Sequence, residues 1–251
     1  MDSDLEVLLT PAEFAALQPR DLPDVVCVVF DVLRATSTML TALANGATRI
    51  YPVREISQAL QLRRAHPSAL LAGERDGVRI LSAQTGGVDF DLGNSPREFT
   101  PGRVAGREII MTTTNGTRAL QACQGARRIF AGALLNLAAL ARRLETERPA
   151  RLLLVCAGTF EEAAYEDTLA AGALCHAVWK RFEHARIADS ALIARQLYLA
   201  AESNLDAALS CSRNARRLLE NPALRDDVPW CLRRNALNLT AELRDGAVIA
   251  D

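Results

Sequence analysis

The sequence has no apolar run longer than a strand needs, no CxxC or histidine-rich spacing, no repeat of fixed period and no low-complexity tract. A membrane-spanning helix takes about 20 apolar residues, so none is expected. The opening Met1-Asp2-Ser3-Asp4-Leu5-Glu6 has neither the positive nor the apolar stretch of a signal peptide, and a cytoplasmic protein is expected. Excess charge of one sign is missing too. With 29 Lys+Arg against 30 Asp+Glu, the formal net charge of -1 excludes a broad nucleic-acid footprint and a polybasic membrane anchor. Any recognition of an anion must therefore be local. The six cysteines are scattered, and Cys27 and Cys156 fall inside apolar strand patterns, which points to reduced, buried thiols. P-loop and dinucleotide glycine spacings are also absent, which disfavours nucleotide binding.

What is present is alternation. Apolar, strand-like stretches at 25–30, 50–53, 69–72, 108–111, 128–132 and 152–156 are separated by helix-like stretches at 36–44, 56–65, 115–124 and 136–145. Thr10 reads as an N-cap with Pro11 at the first helical position, and Asn45-Gly46 as a C-cap. Helices follow at 165–184, 190–202 and 204–219, then a hairpin about Asp245-Gly246. This order argues for an α/β fold, a mostly parallel or mixed sheet flanked by helices in three layers. We read residues 1–251 as a single domain, with lobes 1–106 and 107–251 and a site between them. The apolar stretch 170–179 suits a core or a dimer face. Core is the preferred reading, and a homodimer is the assembly expected.

Three of these strands run directly into hydroxyls, amides and carboxylates. In an open α/β sheet ligands bind beyond the carboxyl ends of strands, where N–H groups at helix starts favour anions. Asp31 follows the first of them, with Arg34 and Thr36-Ser37-Thr38 opening a helix. The alternative is an N-cap aspartate with ordinary first-turn residues. Thr112-Thr113-Thr114-Asn115-Gly116-Thr117-Arg118 is more specific, because so many hydroxyls beside an amide have little packing value. Glu74 and Arg75 end another strand, Asp89 and Asp91 lie in a long Gly- and Pro-rich segment, and Glu166-Asp167 follow Cys156-Ala157-Gly158-Thr159. Asp31, Glu74, Asp91, Glu166 and Asp167 supply enough hard oxygens for Mg²⁺, although any one of them alone reads as a surface charge. Cys156 is read as structural, since Phe160 to Asp167 carries four acids and no arginine to seat a phosphate.

Asp31-Val32-Leu33-Arg34-Ala35-Thr36-Ser37-Thr38, Gly73-Glu74-Arg75, Phe90-Asp91-Leu92-Gly93-Asn94-Ser95-Pro96, Thr112 to Thr117, Asn136, Cys156-Ala157-Gly158-Thr159 and Glu166-Asp167-Thr168-Leu169-Ala170-Ala171-Gly172 together resemble the 2-phosphosulfolactate phosphatases. The blocks occur in family order and span nearly the whole chain. The resemblance implies a Mg²⁺-dependent phosphatase that hydrolyses (2R)-O-phospho-3-sulfolactate to (2R)-3-sulfolactate and phosphate, a step of coenzyme M biosynthesis. The chain departs from the pattern over Ile80 to Asp89, where Asp89 replaces an expected glycine, and in the tail Cys231 to Thr240, which lacks an expected aspartate and Val-Pro.

The resulting expectation is a small anionic phosphate ester as substrate, with no nucleic-acid or membrane partner. Asp31, Arg34, Glu166 and Asp167 are the catalytic candidates. Arg34, Thr36, Ser37, Arg75, Asn94, Ser95, Thr113, Thr114, Asn115, Gly116, Thr117 and Asn136 are the candidates for binding substrate and phosphate. A carboxylate would orient or deprotonate water, or Asp31 would itself attack. A haloacid-dehalogenase mechanism is rejected because Leu33 stands where its second aspartate should be. A lyase or isomerase on a phosphorylated acid and an anion sensor are the competitors, and the density of acids weighs against the sensor.

Overall fold

The computed structural model describes residues 4–251, so Met1 to Ser3 of the N-terminal reading lie outside the described residues. The chain runs β1 (Leu5–Leu8), α1 (Pro11–Ala15), β2 (Val25–Phe30), α2 (Ala35–Ala44), β3 (Arg49–Val53), α3 (Ile56–Ala65), β4 (Leu70–Arg75), β5 (Val78–Arg79), α4 (Ser82–Thr85) and α5 (Pro101–Val104). It continues through β6 (Glu108–Thr112), α6 (Gly116–Ala122), β7 (Arg128–Gly132), α7 (Leu137–Glu147), β8 (Arg151–Cys156), α8 (Tyr165–Phe182), α9 (Asp189–Ala201), α10 (Leu205–Ser210), α11 (Arg213–Leu219), α12 (Asp227–Cys231), β9 (Ala241–Arg244) and β10 (Ala247–Ala250). Among the described residues no helix is long and apolar enough to cross a membrane.

The strands form one mixed sheet in the order β1-β8-β2-β7-β9-β10-β3-β6-β4-β5, flanked by helices, the three-layer α/β arrangement expected. Strands from 1–106 and from 107–251 interleave across it. Within β1, β8, β2 and β7 all pairings are parallel, as they are within β3, β6 and β4. The C-terminal hairpin β9–β10 lies between these sets, antiparallel to β7 on one side and to β3 on the other, so the two parallel sets run in opposite directions.

Side chains alternate along each strand, and both faces are covered. Val26, Val28 and Phe30 of β2 pack with Leu169 and Leu174 of α8 in one core. Val25, Cys27 and Val29 pack with Met39 and Leu40 of α2, Leu120 of α6 and Ile109 and Met111 of β6 in a second, which joins strands of both parallel sets. A third joins α3 to Leu71, Ile110, Ile80 and Phe90. Part of the long segment 76–106 is thereby explained by packing, with Ile80 and Phe90 as its anchors.

Two readings are corrected. The first strand is β1, not β2; it is four residues long and is held at the sheet edge by parallel pairing of Leu5–Leu8 with Leu152–Val155. So short a segment carries little periodicity of its own. The helix read over 204–219 is broken into α10 and α11 at Ser212, whose hydroxyl accepts from the Ala215 N–H at 3.2 Å as an N-cap. The α8 segment Ala170 to Val178 packs inside this chain's own core against α9, so the core reading stands. There Gly172 is required by contact: a Cβ at this position would lie 2.0 Å from the Ala194 carbonyl oxygen. Gly172→Ala should lower stability by about 1–3 kcal/mol despite alanine's better helix propensity, as read by the urea midpoint.

Candidate active site

The ends of β2, β4, β6 and β8 meet at one junction. Although β2 and β6 are separated by four strands, a Cβ on Gly116 would meet Asp31 Oδ2 and Ala35 Cβ, each at 2.6 Å, so glycine permits the approach. A pocket of about 670 Å³, counting its open mouth, lies at this junction. Asp31, Arg34, Glu74, Asn94, Thr114, Asn115, Glu166 and Asp167 all line it.

Asp31, Glu74 and Asp167 are held by backbone N–H groups of the loops they face, and Glu166 by a side-chain amide. Asp31 Oδ1 accepts from Ala35 N at 3.0 Å at the start of α2, and Gly116 N–H donates to the same carboxylate. Asp167 accepts from Val32 N at 2.8 Å and Gly158 N at 3.2 Å, tying the loops after β2 and β8. Glu74 accepts from Thr114 N at 2.9 Å, the Thr114 hydroxyl at 3.0 Å and Gly77 N at 2.7 Å. Glu166 accepts from the Asn214 amide, which also donates to the Thr159 hydroxyl at 2.8 Å. Burial, with the charges of Glu74 and Glu166 alongside, pushes Asp31 up to about 6 against the N–H groups of Ala35 and Gly116. Burial and the charges of Glu166 and Asp31 push Asp167 well above the usual carboxylate range.

The cationic wall is equally fixed. Arg34 donates to Asp227 Oδ2 and to the Gly77 carbonyl, both at 2.7 Å, with its side chain and that of Asp227 buried. Ser95 Oγ donates to Asp227 Oδ1 at 2.6 Å. Asn94 Oδ1 is buried with no partner among the described residues, a hydrogen-bonding vacancy in the pocket wall.

The sequence that builds this arrangement is similar to known proteins. The family model described as 2-phosphosulpholactate phosphatase matches residues 12–246. The chain is 36% identical over 243 residues to a probable 2-phosphosulfolactate phosphatase of Caldanaerobacter subterraneus, covering 96% of this chain and 97% of the relative. The protein of the same name from Symbiobacterium thermophilum is 36% identical over 235 residues, 92% and 96% of the two chains. That from Nostoc punctiforme is 33% identical over 229 residues, 89% and 90%. The chain belongs to the 2-phosphosulpholactate phosphatase family.

In this member of the 2-phosphosulpholactate phosphatase family, several residues singled out in the sequence lie behind the pocket rather than in its lining. The Thr36 hydroxyl donates to the Asp31 carbonyl at 2.8 Å and Ser37 Oγ to the Val32 carbonyl at 2.8 Å. Thr113 and Thr117 exchange backbone and hydroxyl bonds of 3.0–3.3 Å at the start of α6. Asn136 bonds Ala133 N, the Ala131 carbonyl and the Leu239 carbonyl. Arg75 donates to the carbonyls of Glu74 and Arg54 and to Thr112 Oγ1. Ser95 reaches Asp227, and Gly116 provides close approach to Asp31. Asp91 is exposed and accepts from Leu71 N at 2.8 Å, apart from the other four acids. Cys156 is fully buried, and burial with the Asp167 charge holds its thiol well above the usual range, as a structural cysteine requires.

Sequence reasoning missed Asp227, Asn214 and Arg217, which the helical C-terminal region delivers to the site. One signal was available. An aspartate followed by Val228-Pro229 stands immediately before the tail segment in which the family resemblance had looked for them.

Among the described residues no three or more His, Cys, Asp or Glu side chains enclose a metal ion by themselves. The donor set does fit Mg²⁺, which takes one or two carboxylates and completes its shell with water and phosphate oxygens. One or two of Asp31, Glu166 and Asp167 would hold it, and the strain of their mutual repulsion is what a cation would relieve.

The sign of that strain is measurable without a cation. Because folding raises the Asp31 pKa to about 6, the folded state binds the extra proton and stability falls as pH rises from about 4 to about 6. Asp31→Asn should therefore raise metal-free stability by about 1–2 kcal/mol at pH 7.5 and by nothing at pH 3.5 in urea unfolding. Asp227→Asn acts in the opposite sense: it leaves the buried Arg34 without its counter-charge and should cost about 3–5 kcal/mol in the same assay.

Proposed function

We propose that this protein is a Mg²⁺-dependent phosphomonoesterase that hydrolyses 2-phosphosulfolactate to sulfolactate and inorganic phosphate. The reading is carried by one observation: like-charged, buried Asp31 and Asp167 share a pocket with Arg34 and the unpartnered Asn94 oxygen. A pocket that was only a sensor for an anion would gain nothing from carboxylates, because they repel the ligand. The names of the relatives support the substrate.

Mg²⁺, when bound, supplies positive charge that neutralises the phosphoryl oxygens and relieves repulsion among the carboxylates. The remaining work falls to the chain. Arg34 and Asn115 bind the non-bridging oxygens, Thr114 being committed to Glu74, and the Asp227 carboxylate with the Gly77 carbonyl keeps the guanidinium in one orientation. A pocket carboxylate not engaged by the cation accepts the proton of the attacking water as the water oxygen bonds phosphorus and the bond to the ester oxygen breaks. The leaving alkoxide takes a proton from solvent water to become the sulfolactate hydroxyl, and the carboxylate returns its own to solvent. Six free cysteines, five of them buried, support a reducing cytoplasmic setting.

The test is release of inorganic phosphate from racemic phosphosulfolactate and a panel of phosphorylated hydroxy acids, with Mg²⁺ or with EDTA. Release is expected for phosphosulfolactate with Mg²⁺, falling to background in EDTA. Release unaffected by EDTA would remove the metal from the reading. No release from any ester, with binding intact, would sink the phosphatase and favour a lyase or sensor.

A further inference from the structure

Two guanidiniums line the pocket, and among the described residues only Arg34 has an ion-pair partner. Arg34 is buried against Asp227, whereas Arg217 of α11 is exposed and has one side-chain hydrogen bond among the described residues, to the neutral carbonyl of Asp76. Its neighbour Arg213 is already committed, paired with Glu162 and donating to the Thr159 carbonyl at 2.9 Å. The two pocket arginines are brought together by the β4–β5 turn. Arg34 Nη2 and Arg217 Nη2 each lie 3.9 Å from where a Cβ on Gly77 would stand, which places them within about 8 Å of one another.

The posture of Arg217 is also prepared. Its guanidinium lies 5.9 Å from the centre of the Phe160 ring, which is 58% exposed at the pocket mouth. Phe160 and Glu161 have φ of +51° and +61°, a conformation uncommon for residues with side chains. An arginine against an aromatic face keeps its in-plane N–H groups available to an oxyanion. The acids Asp31, Glu166 and Asp167 claim the phosphoryl end of the substrate, leaving the mouth for whatever acidic group is not transferred.

Resting on the phosphatase reading above, we propose that Arg217 is a specificity residue: it binds the second acidic group of the substrate, a sulfonate or carboxylate on the carbon next to the phosphate ester. A phosphate ester without that group would forgo this contact, so Arg217 selects phosphorylated acids over phosphorylated alcohols.

The test compares kcat/KM of wild type, Arg217→Gln and Arg217→Lys on phosphosulfolactate, on phospholactate, which keeps the carboxylate and lacks the sulfonate, and on isopropyl phosphate, which lacks both. Glutamine can still donate to the Asp76 carbonyl, and melting temperature monitors the fold. The ratio of kcat/KM for phosphosulfolactate over isopropyl phosphate should fall roughly 10- to 100-fold in Arg217→Gln and be partly restored in Arg217→Lys. If the ratio to phospholactate also collapses, the sulfonate is the group read. If that ratio holds, the carboxylate is. An equal fall on all three esters would overturn the proposal. Wild-type release from none of them would instead refute the phosphatase reading. The Arg217 proposal would then be decided by calorimetry with sulfolactate: binding by wild type that weakens in Arg217→Gln upholds it, and equal or absent binding overturns it.

Discussion

Like-charged carboxylates confined to one junction are the constraint on which this structure turns. Asp31, Glu74 and Asp167 would repel one another and lose their water, yet each faces backbone N–H groups of at least one loop other than its own. Asp167 ties the β2 loop to the β8 loop, Glu74 ties the β4–β5 turn to the β6 loop, and Asp31 ties α2 to α6. The acids therefore fasten the loops of the pocket as well as furnishing its chemistry. Their repulsion persists because removing any of them would leave N–H donors of two segments without acceptors.

That junction joins ends of strands far apart in the sheet, and the strands between them include the end of the chain. The β9–β10 hairpin is last in sequence and central in the sheet, and it reverses direction between the two parallel sets. A continuous parallel sheet would have spread the ends of β2 and β6 along one edge, about 24 Å apart at five strand spacings. The C-terminal region contributes again through Asp227, which supplies the buried counter-charge of Arg34. The pocket thus depends on contacts between residues far apart in sequence, and local stability of the β2–α2 unit is not enough to form it.

The strand ends were legible because strands buried on both faces read as unbroken apolar runs, so the abrupt change at Asp31, Thr112 and Gly158 stood out. The carboxylates followed from position alone. Thr36, Ser37, Thr113, Thr117 and Asn136 were read as ligand contacts because a hydroxyl or amide suited to a phosphate oxygen is equally suited to the free N–H and C=O groups of a loop. Sequence cannot separate the two uses, which depend on which way the side chain turns. Asp227, Asn214 and Arg217 were missed for a different reason. Helices α10 to α12 are only five to seven residues long, too short for their periodicity to reveal which wall they cover.

The charge distribution also fixes how a substrate can lie. A phosphoryl group is the part of a phosphorylated acid that a hard cation and fixed donors can stabilise as charge develops in transfer, and those donors stand at the buried end, around Asp31, Arg34 and Asp167. At that end the guanidinium of Arg34 is already compensated by Asp227, so it orients more than it neutralises. At the mouth, Arg217 has no ion-pair partner among the described residues. A ligand with two anionic ends would meet the Arg217 guanidinium at the mouth, and its other end would be drawn inward only where a cation offset the carboxylates. Orientation, metal dependence and selectivity for acids would then share one cause, the unequal pairing of two arginines that stand on either side of Gly77.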